Sequence, residues 1–214
     1  MNQNDANLNY FNTGEWKNLT YKGFSIYKYP SDLLTYQNII WKTKPDIIIE
    51  TGTCTGASAL FFLDTLKCCN IENPLVVTIG LGEIRNCVPE TKGIKKIVGS
   101  CLAPAVIDQV TNLIRNKSVL VSLDSDHTRD HVSAELEIYS SFVSPGQYIV
   151  VEDTFLGYYG PFLGAAERRF QENTGQTPKH AVEDFLTRNK DFIIDESCNK
   201  YISMTPNGFL RRLK

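Results

Sequence analysis

Apolar residues along this chain gather into short, unbroken, largely β-branched runs that end abruptly, separated by stretches in which apolar positions recur at helical spacing. The runs are Asp46-Ile47-Ile48-Ile49-Glu50, Leu75-Val76-Val77-Thr78-Ile79, Gly93 to Val98, Val119-Leu120-Val121-Ser122-Leu123 and Tyr148-Ile149-Val150-Val151. A strand without polar alternation is one covered on both faces, the pattern of a parallel sheet between helices. Between the last two runs, Val132, Leu136, Tyr139 and Val143 supply the stripe of one crossover helix, so the unit reads as βαβ with both strands pointing the same way. Other helices are expected from Ser31 as an N-cap, with Leu33, Tyr36, Gln37 and Ile40 on one face and an end near Lys44-Pro45, from Ala59 to Leu66, from about Pro104 to Ile114, and from about Pro178 to Arg188. Phe192-Ile193-Ile194 and Tyr201-Ile202-Ser203-Met204 read as two closing strands. Only a short turn around Cys198-Asn199 separates them, so the last should run antiparallel.

The ends of the runs carry the chemistry. Val119 to Leu123 leads into Asp124-Ser125-Asp126-His127, and Tyr148 to Val151 into Glu152-Asp153. Parallel strands bring both clusters to the carboxyl edge of the sheet, where open α/β folds bind ligands. Carboxylates converging there repel one another unless a cation or raised pKa values relieve them. Oxygen ligands of that kind suit a hard ion such as Mg²⁺, with His127 close enough to act as a base. The alternative is that these acids only cap helices and face water. Glu50 is followed at once by Thr51-Gly52-Thr53-Cys54-Thr55-Gly56-Ala57-Ser58 and an apolar helix. The glycines let the backbone pass close to a ligand, the helix N-terminus offers N–H groups to an anion, and Glu50 can grip an ammonium group. The turn is neither a GxGxxG fingerprint nor a P-loop, and such turns also serve as ordinary packing. Gly157 to Gly164, glycines mixed with aromatics, fits either a flap over a substrate or a plain connection.

Composition narrows the class. At 214 residues there is room for one well-buried α/β domain, residues 31–214, and an arm, residues 1–30. The arm is polar but carries Tyr10, Phe11, Trp16, Tyr21, Phe24, Tyr27 and Tyr29, enough to dock as a lid, a subunit contact or a cover for the sheet edge. A net charge of −2 with mixed signs gives no footprint for nucleic acid, which leaves small-molecule chemistry. The six cysteines show no CxxC pairing or Cys/His metal spacing and no signal peptide precedes them, so reduced thiols in a soluble cytoplasmic protein are expected. No apolar run approaches the roughly eighteen residues of a membrane span.

Five blocks read together carry a resemblance: Ile-Ile-Ile-Glu-Thr-Gly-Thr (47–53), Gly-Ala-Ser-Ala-Leu-Phe-Phe (56–62), Leu-Asp-Ser-Asp-His (123–127), His-Val-Ser-Ala-Glu-Leu (131–136) and Val-Val-Glu-Asp-Thr (150–154). With Lys28-Tyr29-Pro30-Ser31-Asp32-Leu33 ahead of them, they resemble the cephalosporin hydroxylase and rhamnosyl O-methyltransferase family over about Tyr21 to Leu213. The resemblance implies an α/β, Rossmann-like, seven-stranded mostly parallel sheet with an antiparallel last strand and helices on both faces, and S-adenosylmethionine (SAM) as cofactor. A more distant similarity to catechol O-methyltransferase implies a Mg²⁺ site of Asp124, Glu152 and Asp153, Asp126 being a rival for the first ligand, and His127 as catalytic base. It implies a cofactor site of Glu50, Gly52, Thr53, Ser58, Gly80, Ser100 and Ser125. Where such enzymes carry an acid for the ribose hydroxyls, this chain has Ile79-Gly80-Leu81-Gly82, with Glu83 the nearest carboxylate. The function so implied is metal-dependent methylation of a sugar or natural-product hydroxyl by a homo-oligomer. A hydroxylase or cyclase on the same scaffold, or a non-catalytic subunit that has lost the ribose acid, stays open.

Overall fold

The computed structural model describes residues 3–82, 87–159 and 176–214. The helices, in chain order, are α1 (Gln3–Thr13), α2 (Pro30–Thr43), α3 (Ala57–Cys68), α4 (Pro104–Leu113), α5 (Arg129–Tyr139), α6 (Leu156–Tyr159) and α7 (Pro178–Arg188). A two-stranded hairpin of β1 (Thr20–Tyr21) and β2 (Phe24–Ser25) stands apart from the main sheet. The main sheet holds β3 (Ile47–Thr51), β4 (Leu75–Gly80), β5 (Ile94–Val98), β6 (Val119–Leu123), β7 (Tyr148–Val151), β8 (Phe192–Ile194) and β9 (Phe209–Arg212), in the order β5-β4-β3-β6-β7-β9-β8. β5, β4, β3, β6 and β7 pair in parallel, and β9 lies antiparallel to both β7 and β8.

The unbroken apolar runs have their cause in two cores. Alternate residues of a strand point to opposite faces, so Ile47 and Ile49 join Val121, Leu136, Val110 and Phe185 on the side of α4, α5 and α7, while Ile48 joins Val76, Leu120, Phe62 and Tyr36 on the side of α2 and α3. A smaller cluster of Phe11, Trp16, Tyr29, Phe155, Leu156 and Met204 packs the N-terminal arm onto the segment after β7. The Phe11 and Phe155 rings stack at 4.8 Å.

Three expectations differ from what is observed. Ser31 is not the N-cap of α2: Tyr29 is, two residues earlier, and the helix starts on Pro30, whose missing N–H costs nothing at a first position, while the Ser31 hydroxyl donates to the Ile202 carbonyl at 2.5 Å. Gln37 is exposed, and the buried face of α2 is Asp32, Thr35, Tyr36, Ile39 and Ile40. Tyr201 to Met204 is not a strand, because side chains take its backbone groups. Asn7 donates to the Ser203 carbonyl at 2.7 Å and accepts from its amide at 3.2 Å, and Asp32 accepts from the Met204 amide at 2.9 Å. The antiparallel strand comes later, at Phe209–Arg212.

Candidate active site

Strand order reverses between β3 and β6, with β4 and β5 leading off one way and β7 the other, and such a switch point is where open α/β sheets hold ligands. The chain ends there are packed tightly. A Cβ on Gly52, whose φ is +89°, would lie 1.8 Å from the Asp124 carbonyl oxygen, so this glycine is required by the approach of one strand end to the other. The Gly52 and Thr53 amides both donate to the Ile79 carbonyl, which ties the turn to β4. Over this edge opens a cavity of about 950 Å³, room for a nucleoside-sized ligand with a second small molecule beside it. Gly52, Thr53, Gly80, Ser100, Ser125, Asp124, His127 and Asp153 line it, along with Phe11 and Trp16 of the arm.

At the β6 and β7 end, one donor atom each from Asp124, His127 and Asp153 lies within 4.8 Å of the others. His127 Nε2 stands 3.1 Å from Asp153 Oδ2. Asp153 has a φ of 56°, a left-handed conformation that costs a non-glycine residue energy and tends to cluster at functional sites. Asp126 is committed elsewhere, accepting from the Thr128 amide at 2.8 Å ahead of α5. Glu152 faces the other way. Its Oε1 meets Lys28 Nζ at 2.8 Å and the Tyr36 hydroxyl at 2.5 Å, and its Oε2 accepts from Thr205 at 2.8 Å.

Lys28, with its side chain 5 % exposed, also reaches Asp124 Oδ2 at 2.9 Å and so bridges the two acid clusters with a built-in cation. Burial alone would lower its pKa, but the Asp124 and Glu152 charges outweigh that and raise it. The carboxylates respond unequally. Burial outweighs Lys28 at Asp124 and pushes it up, whereas Lys28, Tyr36 and Thr205 outweigh burial at Glu152 and hold it down. Asp153 is pushed up to about 6 by burial, with the neighbouring acids adding to the shift and His127 opposing it. Three carboxylates against one ammonium leave the corner two negative charges, a match for one divalent cation.

At the β3 end, Glu50 is fully buried. Its Oε2 accepts from Thr78 at 2.7 Å while its Oε1 makes no hydrogen bond. Burial pushes its carboxyl up to about 7, only partly offset by the Ser58 and Thr78 hydroxyls and the Lys28 charge. A buried carboxylate oxygen without a donor fits a ligand ammonium. Ser58 belongs with Glu50 rather than with the cavity wall. Gly80 stands against Thr53: a Cβ would come within 2.9 Å of Thr53 Oγ1, which itself lies 2.9 Å from Thr78 Oγ1. Gly82 has open space around it. Glu83, and the glycine-rich segment from residue 160 onward, lie outside the described residues.

Lys28, Tyr36 and Thr205 escaped sequence reasoning because nothing local marks them. Lys28 and Asp124 are 96 positions apart, and the one available signal was that Lys28 stands in a block shared with a known family.

A mostly parallel sheet with its switch point under a cavity, a buried acid on one strand end and an acid corner on the next two, defines a Rossmann-like fold with a candidate small-molecule site. The family model for rhamnosyl O-methyltransferase/CmcI matches residues 13–213, and the chain belongs to that family. It is 30 % identical to a rhamnosyl O-methyltransferase of Mycobacterium leprae, over 95 % of this chain and 87 % of that protein. It is 29 % identical to one of Mycobacterium tuberculosis, over 95 % and 82 %. Among solved structures, CmcI with Mg-SAM superposes with a TM-score of 0.68 at 19 % identity, covering 92 % of this chain and 78 % of that one, a likeness of fold.

Proposed function

We propose that this protein is a SAM-dependent O-methyltransferase that acts, with a divalent cation such as Mg²⁺, on a hydroxyl of a sugar or natural-product small molecule. The observation that carries the reading is that one cavity unites the convergent Asp124, His127 and Asp153 donors with the wall under which Glu50 is buried, in a chain whose relatives are rhamnosyl O-methyltransferases. The donors assigned to the cation, the carboxylates of Asp124 and Asp153, are all oxygen, which suits a hard ion. CmcI, of the same fold, has been seen with Mg-SAM.

When bound, SAM supplies an electrophilic methyl group, and the cation lowers the pKa of an acceptor hydroxyl and fixes its direction. The chain's own residues do the rest. Glu50, with Ser58 beside it, would take the ammonium of the methionine part, and Gly52, Thr53, Gly80, Ser100 and Ser125 form the surrounding wall. Asp124 and Asp153 hold the cation. Glu152, kept ionised by Lys28, Tyr36 and Thr205, supports them or exchanges Lys28 for the ion. His127, with Nε2 donating to Asp153, keeps Nδ1 as its basic nitrogen and takes the hydroxyl proton as the oxygen–methyl bond forms and the sulfur–methyl bond breaks. Phe11 and Trp16 of the arm, residues 1–30, help exclude water from the cavity. Homo-oligomeric assembly in the cytoplasm belongs to the same family-based reading.

The test is to incubate the protein with SAM, Mg²⁺ and a panel of rhamnosides and measure S-adenosylhomocysteine. Formation that stops on chelation and resumes with Mg²⁺ supports the reading. Tight SAM binding with no transfer to any acceptor would favour a hydroxylase or cyclase, and absence of SAM binding a non-catalytic subunit.

A further inference from the structure

A second cluster, with different chemistry, stands in the cavity wall itself. Cys101 follows β5, Ser125 follows β6, and His131 and Glu135 lie one turn apart on α5. Cys101 Sγ is 3.4 Å from His131 Nε2, 3.3 Å from Glu135 Oε1 and 3.8 Å from Ser125 Oγ. Ser125 Oγ is 3.0 Å from Nε2 and 2.8 Å from Oε1, and Nε2 and Oε1 are 3.9 Å apart. These six separations are the edges of an irregular tetrahedron, shortest at Ser125–Glu135, 2.8 Å, and longest at His131–Glu135, 3.9 Å. Metal bonds of about 2.0–2.3 Å to sulfur, nitrogen and oxygen in tetrahedral geometry place neighbouring donors roughly 3.3–3.6 Å apart. The four atoms therefore already stand about where a zinc-sized ion would hold them.

We infer that Cys101, His131 and Glu135, with the Ser125 hydroxyl at the fourth corner, form a second cation site that takes a borderline transition ion of the Zn²⁺ type rather than Mg²⁺. Sulfur and imidazole select such ions, whereas the oxygen corner at Asp124 and Asp153 selects a hard one, so the two sites discriminate by ligand softness. A thiolate, a carboxylate and a neutral imidazole carry two negative charges, which one divalent ion balances. Cys101, Ser125 and His131 line the cavity, which gives the ion a way in. Glu135 is fully buried, and its second oxygen makes no hydrogen bond. Burial and the nearby Glu135 push the Cys101 thiol up to about 12, so without an ion the cluster keeps its proton. On binding, the S–H bond gives up that proton to solvent as the sulfur–metal bond forms. The ion would tie the segments after β5 and β6 to α5 and brace the wall of the cavity. Sequence spacing concealed this, since Cys101 and His131 are 30 positions apart.

The experiment uses the full chain titrated with Co²⁺ in excess Mg²⁺. A near-ultraviolet thiolate-to-cobalt charge-transfer band with the intense visible bands of tetrahedral Co²⁺ is expected, along with about one proton released per ion and a rise in thermal midpoint when Zn²⁺ replaces Co²⁺. Cys101→Ser, nearly isosteric, should lose the charge-transfer band. His131→Gln, a change at a partly exposed position, should weaken binding tenfold or more. Asp124→Asn should leave both spectrum and affinity unchanged, which separates this site from the proposed catalytic corner. No charge-transfer band in the unaltered protein, a band that survives in Cys101→Ser, or displacement of Co²⁺ by Mg²⁺ would overturn the assignment.

Discussion

The two ends of the cavity solve the problem of buried negative charge in opposite ways. At the β3 end Glu50 has no cation bonded to it and keeps one oxygen free of hydrogen bonds. At the β6 and β7 end Asp124 and Glu152 share the Lys28 ammonium, which the fold supplies from the segment before α2. An isolated carboxylate in a dry site costs several kcal/mol unless it is neutralised, and Glu50 meets that cost by a raised pKa. The Lys28 corner meets part of it with the chain's own ammonium, and the excess charge falls on Asp153 and Asp124, the two acids of that corner that line the cavity. In the proposed function, one end would be completed by a ligand's own positive charge, and the other, half completed in advance, would take a divalent ion.

The largest effect should come from removing the internal cation. Lys28→Met would leave Glu152 and Asp124 buried without a partner, and breaking a buried pair from one side costs about 3–5 kcal/mol. Urea unfolding of the metal-free variant should show a loss of that order, with Mg²⁺ restoring more stability to the variant than to the parent because Glu152 becomes available as a ligand. A loss below about 1 kcal/mol would mean that Lys28 does not compensate these acids. Next, His127→Ala should lower turnover by about 10²–10⁴-fold, the usual contribution of a positioned base, with SAM affinity unchanged. Equal loss of SAM affinity would give His127 a binding role instead.

Much of this division was legible before any coordinates. The unbroken runs at Ile47–Ile49, Val119–Leu123 and Tyr148–Val151 encode strands with a core on each face, and their acidic ends place Asp124 and Asp153 at one edge by topology alone. Partners distant in sequence were not legible. Lys28, Tyr36 and Thr205 converge on Glu152 from three elements, and only the folded chain reveals that the acid expected to face an external ion is held inside. Tyr201–Met204 imitates a strand because it is a short, mostly apolar run, yet Asn7 and Asp32 take the hydrogen bonds a neighbouring strand would have used. The true strand at Phe209–Arg212 is half apolar and half arginine, which hides its pairing.

A smaller effect sharpens the β3 end. Gly80 occupies the place where an acid for the ribose is expected, and a side chain there would press on Thr53 and its hydrogen bond with Thr78. Gly80→Ala should destabilise the protein by about 1–3 kcal/mol, as overpacking usually does, without improving SAM affinity. Gly80→Asp should likewise fail to tighten binding. A tenfold gain in calorimetry would show that Thr53 yields and that the ribose lacks a partner in the native protein.

Glu50 also gives the free protein a pH dependence of known sign. Its carboxyl is raised from 4.5 to about 7 on folding, so the native state holds a proton that the unfolded state releases, and stability declines as pH rises from about 4.5 through about 7. Asp32, raised to about 7, and Asp153, raised to about 6, contribute to the same decline, so Glu50→Gln should make it shallower in thermal scans without removing it; an unaltered slope would place the titration elsewhere.

The central claim is that this acid waits for the ammonium of SAM. Calorimetric titration of SAM into the Mg²⁺-loaded protein on both sides of pH 7 tests it directly. Affinity should rise as pH increases to about 7 and level off above, because binding expels the Glu50 proton, and Glu50→Gln should weaken binding by roughly 1.5–3 kcal/mol, the worth of a charged hydrogen bond, and abolish the pH dependence. No binding by the native protein, or equal affinity for the native protein and Glu50→Gln at every pH, would contradict the account.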